Sequence, residues 1–136
     1  TQKKRESRFI GGFSMGGMLA LRIGFHHPDL FSKIGAYSPA VPSQDYSRTQ
    51  LEKWLNPNEK TSGIKDVIQY AKKKGYRKLQ VYLDTGKNND PFRTGVESFH
   101  EALLKRGISS SFVLYNGGHS LQKNYFEDYL KFYTGK

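Results

Sequence analysis

The chain contains no cysteine, only two methionines and a single tryptophan in 136 residues. Without thiols neither a disulfide framework nor a thiolate metal site can be built, and redox chemistry gives no reading of compartment, so cytoplasmic and secreted locations both stay open. No run approaches eighteen consecutive apolar residues, which excludes a membrane-spanning helix. The opening Thr1-Gln2-Lys3-Lys4-Arg5 lacks the apolar stretch of a signal peptide. Also missing are the Gly-Lys-Ser/Thr of a phosphate loop, zinc-finger spacing, an RNP motif, a helix-turn-helix pattern, internal repeats and low-complexity tracts. No metal or organic cofactor is expected.

Acidic residues are scarce too: 12 stand against 22 lysines and arginines, for a net charge of +10. The basic clusters are Lys3 to Arg5, Lys72 to Lys74, and Arg77 with Lys78. Such charge attracts nucleic acid or anionic polymers when a recognition motif accompanies it. None does here, and lysines on polar faces and at helix ends are ordinary solvated residues. The expectation is a basic surface and no nucleic-acid partner.

What is present suits one compact domain over residues 1–136, since 36% of the residues are hydrophobic. Arg8 to Phe13 is short and apolar, and it runs directly into Ser14-Met15-Gly16-Gly17. Met18, Leu19, Leu21, Ile23 and Phe25 then follow at the spacing of a largely buried helix that ends near His26-His27-Pro28. Ile34 to Tyr37 reads as a second strand stopped by Ser38-Pro39, and Val41 to Ser47 as a surface loop. Helices are predicted from Ser47 to Leu55 and from Ile64 to a stop at Gly75.

Leu79 to Leu83 is a third strand. It opens into Asp84-Thr85-Gly86-Lys87-Asn88-Asn89-Asp90-Pro91, a loop rich in glycine and asparagine. Val96, Phe99, His100, Leu103 and Leu104 repeat at helical spacing, and a fourth strand from Ser111 to Tyr115 ends in Asn116-Gly117-Gly118-His119. Leu121 to Tyr133 is predicted as a docked C-terminal helix with Tyr125, Phe126, Tyr129, Leu130 and Tyr133 on one stripe. This alternation argues for an α/β fold with a mostly parallel sheet of about four strands, whose ligands gather at the carboxyl ends of the strands.

Ser14, Asp90 and His119 all fall at such ends. A serine hydroxyl is a poor nucleophile near neutral pH; it needs an imidazole to take its proton and a carboxylate to fix the imidazole's tautomer. Gly12 and Gly16 flank Ser14 where a strained strand-to-helix turn brings backbones together, and Gly17 lets the helix approach the sheet. Asp84 also follows the third strand and rivals Asp90; the role expected of it is to cap its own loop. Of the other histidines, His26 and His27 terminate a helix, and His100 is a packed or surface residue.

Gly12-Phe13-Ser14-Met15-Gly16-Gly17, His27-Pro28-Asp29-Leu30-Phe31, Ser38-Pro39, the loop from Asp84 to Asp90, and Gly117-Gly118-His119-Ser120 together resemble the esterase branch of the α/β-hydrolase superfamily. That branch includes feruloyl esterases, S-formylglutathione hydrolases and enterochelin-type esterases. The resemblance runs from about Arg8 to Tyr133. It implies Asp90 as the triad carboxylate, the backbone N–H of Met15 as one oxyanion donor, and a second donor from a loop after an earlier strand. It also implies about eight strands where four are readable. The chain is therefore expected to lack the family's N-terminal strands, as the C-terminal half of a longer esterase or as a reduced hydrolase. Lack of one oxyanion donor costs about 2.7–4 kcal/mol of transition-state stabilisation, so a lone copy is expected to be slow unless another group supplies it.

The function expected is a serine carboxylesterase acting on small-molecule esters through an acyl-enzyme. The same triad serves thioesterases and acyltransferases, and a catalytically weak binding or assembly module on this fold is the rival. Phe13, Tyr37 and the loop from Val41 to Tyr46 are candidates for lining the substrate site. Phe9 to Phe13 is expected to be an exposed edge that pairs with a second copy or with a missing N-terminal half.

Overall fold

A computed structural model of the chain describes residues 3–47, 49–73 and 79–136. The cluster residues Lys74, Arg77 and Lys78 and the predicted helix stop at Gly75 lie outside the described residues.

Among the described residues four strands form one sheet in the order β1-β2-β3-β4: β1 is Phe9–Phe13, β2 Lys33–Tyr37, β3 Gln80–Gly86 and β4 Ser109–Tyr115. Every neighbouring pair is parallel, with Ile10 beside Ile34, Ile34 beside Val81 and Leu83 beside Phe112. Strand β3 is buried from Val81 to Gly86, as expected of a parallel strand covered on both faces. It runs three residues beyond the predicted end. Asp84, Thr85 and Gly86, expected in a loop, are strand residues because β4 continues beside them, pairing Val113, Leu114 and Tyr115 with them in turn.

Helix α1 (Met15–His26) follows β1 directly; α2 (Gln50–Leu55), α3 (Glu59–Ser62) and α4 (Val67–Lys73) fill the long connection from β2 to β3, and α5 (Arg93–Lys105) joins β3 to β4. Leu21 and Phe25 of α1, Leu51, Trp54 and Leu55 of α2, and Val96, Phe99 and Leu103 of α5 meet Ile34, Ala36, Val81 and Leu83 in a single core. Val41 and Tyr46, expected on a surface loop, belong to this core at 0% and 1% exposure. Tyr46 packs edge-on against Trp54 and Phe99, and its hydroxyl donates to the Pro42 carbonyl. These residues therefore hold the β2–α2 connection down and do not line a substrate site. Arg5, one of the residues taken for solvated surface charge, donates through Nε to the Pro28 carbonyl at 2.5 Å.

The C-terminal segment is a short 3-10 turn, Lys123–Tyr125, and then α6, Phe126–Thr134. It covers the opposite face of the sheet, with Tyr129 and Tyr133 against Tyr37 and Phe132 against Tyr82. Lys33 Nζ donates to the last carbonyls of the helix, Phe132 O at 2.6 Å and Tyr133 O at 3.0 Å, where a cation is favoured. Only part of the predicted stripe is buried. Tyr129 is 5% exposed, whereas Phe126 and Leu130 stand open at 45% and 61%, because they project beyond β1, the sheet's edge. Phe9, Ile10, Phe13, Phe126, Leu130 and Leu121 line an open apolar groove along that edge. No helix among the described residues is long and apolar enough to cross a membrane.

Candidate active site

The carboxyl ends of β1, β3 and β4 lie on one rim, and the chain leaves each by a loop bearing one of the three residues singled out above. At the end of β1 the backbone turns so sharply that Ser14 has φ 55° and ψ −115°. A side-chain-bearing residue rarely adopts this conformation, and it persists only where surrounding structure enforces it. The enforcement is visible. The Ser14 N–H donates to the Tyr37 carbonyl at 2.9 Å, and the Ser14 carbonyl accepts from Met18 N–H at 3.1 Å and Ala40 N–H at 2.9 Å.

The two glycines flanking Ser14 are not equivalent. A Cβ on Gly12 would lie 2.4 Å from the backbone C and O of Gly16, and one on Gly17 would meet the Gly12 carbonyl at 2.9 Å. A Cβ on Gly16 would point into open space. The crowding expected on both sides of the serine is therefore borne by Gly12 and Gly17, and sterics do not require glycine at 16.

Ser14 Oγ is 2.9 Å from Nε2 of His119. On the far side of the ring, Nδ1 is buried and faces Asp90 Oδ1 at 3.3 Å, within ion-pair range but outside good hydrogen-bond alignment. Such contacts commonly tighten only when substrate is bound. The imidazole packs against two phenyl rings, tilted on Phe13 with centroids 5.0 Å apart and edge-on to Phe92 at 5.4 Å, so apolar contacts restrict its orientation.

Asp90 is anchored by main-chain donors: Phe92 N–H to Oδ1 at 3.0 Å and Gly86 N–H to Oδ2 at 3.1 Å. Burial of its carboxyl acts to raise its pKa, but these two main-chain donors together with the side-chain hydroxyls of Thr85 and Ser38 outweigh burial and hold it below the usual aspartate value. It is therefore an anion beside the ring. The loops carrying Asp90 and His119 are joined by Asn88 N–H to the Gly117 carbonyl at 3.0 Å. They approach so closely at Gly86 that a Cβ there would come within 2.4 Å of the same carbonyl.

Asp84 does not meet His119 and does not cap its own loop. Its carboxylate points to the α6 face of the sheet, where Oδ1 accepts the Ser38 N–H at 2.8 Å and Oδ2 accepts the Tyr129 hydroxyl at 2.9 Å and that of Tyr82 at 3.4 Å. It is 1% exposed, and burial raises its pKa to about 6 despite these donors. Of the remaining histidines, His26 bonds the Arg22 carbonyl and Asn56, and His100 bonds Ser110 and stacks on Phe112.

Met15 opens α1, whose start has no side-chain cap, so its N–H lies at the rim beside Ser14. Phe13 and Tyr37 both line the apolar groove along β1; Phe13 touches the imidazole, and Tyr37 is tied to Tyr133 by its hydroxyl at 2.5 Å. Among the described residues no group of three or more His, Asp or Glu side chains could hold a metal ion. Three participants escape the sequence: Phe92, Ser38 and Tyr115. The last two meet beneath the His119 loop; in the sequence Tyr115 is only a tyrosine ending a strand, and Ser38 is seen as a strand stop and within the Ser38-Pro39 block, with no role assigned to it.

The family model described as "Esterase: Putative esterase" matches residues 1–131. No curated protein sequence matches the chain. Among solved structures, a ferulic acid esterase superposes with a TM-score of 0.64 at 23% identity, over 95% of this chain and 51% of its own. An S-formylglutathione hydrolase from Agrobacterium tumefaciens gives 0.63 at 26% identity, over 95% and 49%. An enterobactin esterase from Shigella flexneri gives 0.57 at 20%, over 88% and 28%. The chain spans about half the length of the first two. The four parallel strands with flanking helices are an α/β-hydrolase arrangement.

Proposed function

The chain belongs to the esterase family whose model covers residues 1–131, and from that membership and the rim geometry we propose that it is a serine carboxylic ester hydrolase with Ser14 as nucleophile, His119 as general base and Asp90 as the orienting carboxylate. The observation that carries the proposal is Ser14 Oγ, on a strained turn, 2.9 Å from an imidazole nitrogen whose other nitrogen faces a buried carboxylate.

In this mechanism Ser14 Oγ attacks the ester carbonyl carbon while Nε2 of His119 takes the hydroxyl proton. Asp90 stabilises the imidazolium and keeps the Nδ1–H tautomer. The carbonyl oxygen becomes an oxyanion against the N–H of Met15, helped by the positive end of α1. Collapse of the intermediate expels the alcohol, which receives the proton from His119, and leaves an acyl group on Ser14. Water, deprotonated by the same imidazole, then releases the acid and restores the hydroxyl.

Ser14→Ala tests the proposal. It should abolish both hydrolysis of p-nitrophenyl acetate and labelling by a fluorophosphonate probe, and retention of either would overturn the assignment. The similarity to an S-formylglutathione hydrolase makes a short-chain thioester the second substrate to assay beside the oxygen ester.

A further inference from the structure

We propose that Tyr115 is a positioning residue for the base: its hydroxyl braces the two peptide carbonyls on either side of His119 and links them to the turn that carries Ser14. The inference rests on the assignment of His119 as the base.

Tyr115 is the last residue of β4 and is 1% exposed. Its Oη lies 3.0 Å from the carbonyl of Gly118 and 3.0 Å from that of Ser120, so one phenol reaches both neighbours of the imidazole-bearing residue. The same Oη is 2.5 Å from Ser38 Oγ. One arrangement of protons satisfies all of these contacts: the Ser38 hydroxyl donates to Oη, and the phenolic hydrogen is shared between the two carbonyls. Burial raises the Tyr115 pKa, which keeps that hydrogen in place.

Ser38 is well chosen as the other end of the link. It is fully buried, with φ 38°, a strained value for a residue with a side chain. Its N–H is held by the Asp84 carboxylate at 2.8 Å and the Asp84 carbonyl at 3.1 Å. It directly follows Tyr37, whose carbonyl receives the Ser14 N–H at 2.9 Å. The nucleophile turn and the base loop thus share one short, dry connection through Tyr37, Ser38 and Tyr115. The loop's own sequence adds little stiffness, since Asn116-Gly117-Gly118 contributes two residues without side chains, one of them at φ 152°, so its place is set by its contacts: the Tyr115 hydroxyl on one side and the Asn88 N–H to the Gly117 carbonyl on the other. The Ser14–His119 approach depends on that register, and a displacement of about 1 Å in a reacting group costs on the order of 10²-fold in rate.

The test is Tyr115→Phe, which deletes the hydroxyl and keeps the ring, made in the full chain with and without His119→Ala. The expected result with His119 present is a kcat for p-nitrophenyl acetate lowered on the order of 10- to 100-fold, KM unchanged, and fluorophosphonate labelling slowed in parallel. In the His119→Ala background the same substitution should change nothing further. The His119 Cε1–H resonance should move while those of His26 and His100 stay in place, a readout independent of turnover. Unchanged kcat and an unmoved His119 resonance would overturn the proposal, as would an equal proportional loss in both backgrounds, which marks general loosening. If His119→Ala itself has no effect on activity, it is the base assignment that has failed. Should Tyr115→Phe not fold, Ser38→Ala reads the same link from its other end, measured also in an Asp90→Asn background because the Ser38 hydroxyl faces Asp90 as well: a loss that needs His119 and persists without the Asp90 charge supports the proposal, and no loss, or a loss only with Asp90 intact, overturns it.

Discussion

Replacing Asp84 by asparagine should make the protein more stable at neutral pH. The carboxyl is buried, and its folded-state pKa stands at about 6 against an ordinary value of 3.8. Each unit is worth about 1.36 kcal/mol, so ionised Asp84 weakens the fold by about 3 kcal/mol relative to its protonated form. Between the two values the folded chain keeps a proton that the unfolded chain has released, so the contribution is fully present below pH 3.8 and lost as pH rises through 6. About 2 kcal/mol of it disappears between pH 4.5 and 7.5. Asp90 acts in the opposite sense. Its pKa is lowered, so its contribution holds above the ordinary aspartate value and is lost only on further acidification, and it adds little slope in this window. Asparagine keeps an oxygen for the Ser38 N–H and asks the Tyr82 and Tyr129 hydroxyls to turn from donors into acceptors. Urea unfolding of both proteins at pH 4.5 and 7.5 isolates the term, because every other titrating group is shared. Wild type should lose about 2 kcal/mol more than Asp84→Asn across the interval. Parallel profiles, with a difference under about 0.5 kcal/mol, would show that the carboxyl is not held in the unfavourable setting described.

The remaining predictions concern the rim and the edge. Gly12→Ala drives a Cβ into the Gly16 backbone and should lower the thermal midpoint by the equivalent of about 1–3 kcal/mol or more, whereas Gly16→Ala meets open space and should be neutral or stabilising by up to about 1 kcal/mol; equal effects in calorimetry would refute the asymmetry. Asp90→Asn removes the charge facing Nδ1 and allows the wrong imidazole tautomer, so kcat for p-nitrophenyl acetate should fall on the order of 10³- to 10⁴-fold with the fold retained; a loss below tenfold would speak against its orienting role. The uncovered β1 edge and the exposed Phe126 and Leu130 predict dimerisation of the isolated chain through that face, strengthened by salt because each copy carries a net +10. Sedimentation velocity at micromolar concentration should show a dimer that Phe126→Lys with Leu130→Lys dissociates, and a wild-type monomer throughout would sink the prediction.

How much of this was legible in the sequence depends on how local each cause is. The turn at Ser14 is written in a few adjacent residues: an apolar run, a glycine where two backbones touch, a serine, and a helix that begins at once. The strand and helix order was legible for the same reason, since each element carries its own period. Strand ends were read less well. Asp84, Thr85 and Gly86 look like loop residues by composition, and only the parallel partner at Val113 to Tyr115 makes them strand. Val41 and Tyr46 sit among polar and proline residues that read as surface, yet both join the core, Tyr46 by packing edge-on against Trp54 of α2 and Phe99 of α5.

The two aspartates show where such reading stops. Asp84, in the last part of β3, and Asp90, in the loop after it, stand six residues apart, and composition gives no reason to treat them differently. What separates them is supply of donors against depth of burial. Asp90 sits where the chain bends back, so the N–H groups of Gly86 and Phe92 both point at it, and with the hydroxyls of Thr85 and Ser38 they outweigh its desolvation, which makes it an anion able to hold an imidazolium. Asp84 lies within β3, faces the aromatic layer beneath α6, and receives one backbone N–H and two tyrosine hydroxyls, one donor fewer than Asp90, and these do not offset its burial and the nearby charge of Asp90. A carboxylate that readily takes up a proton near pH 6 is a poor partner for a catalytic base, but its oxygen still holds Ser38, and Ser38 holds Tyr115 under the His119 loop. The two acids therefore bear on the same imidazole by different routes, one facing the ring directly and the other through the polar link that sets where the ring stands.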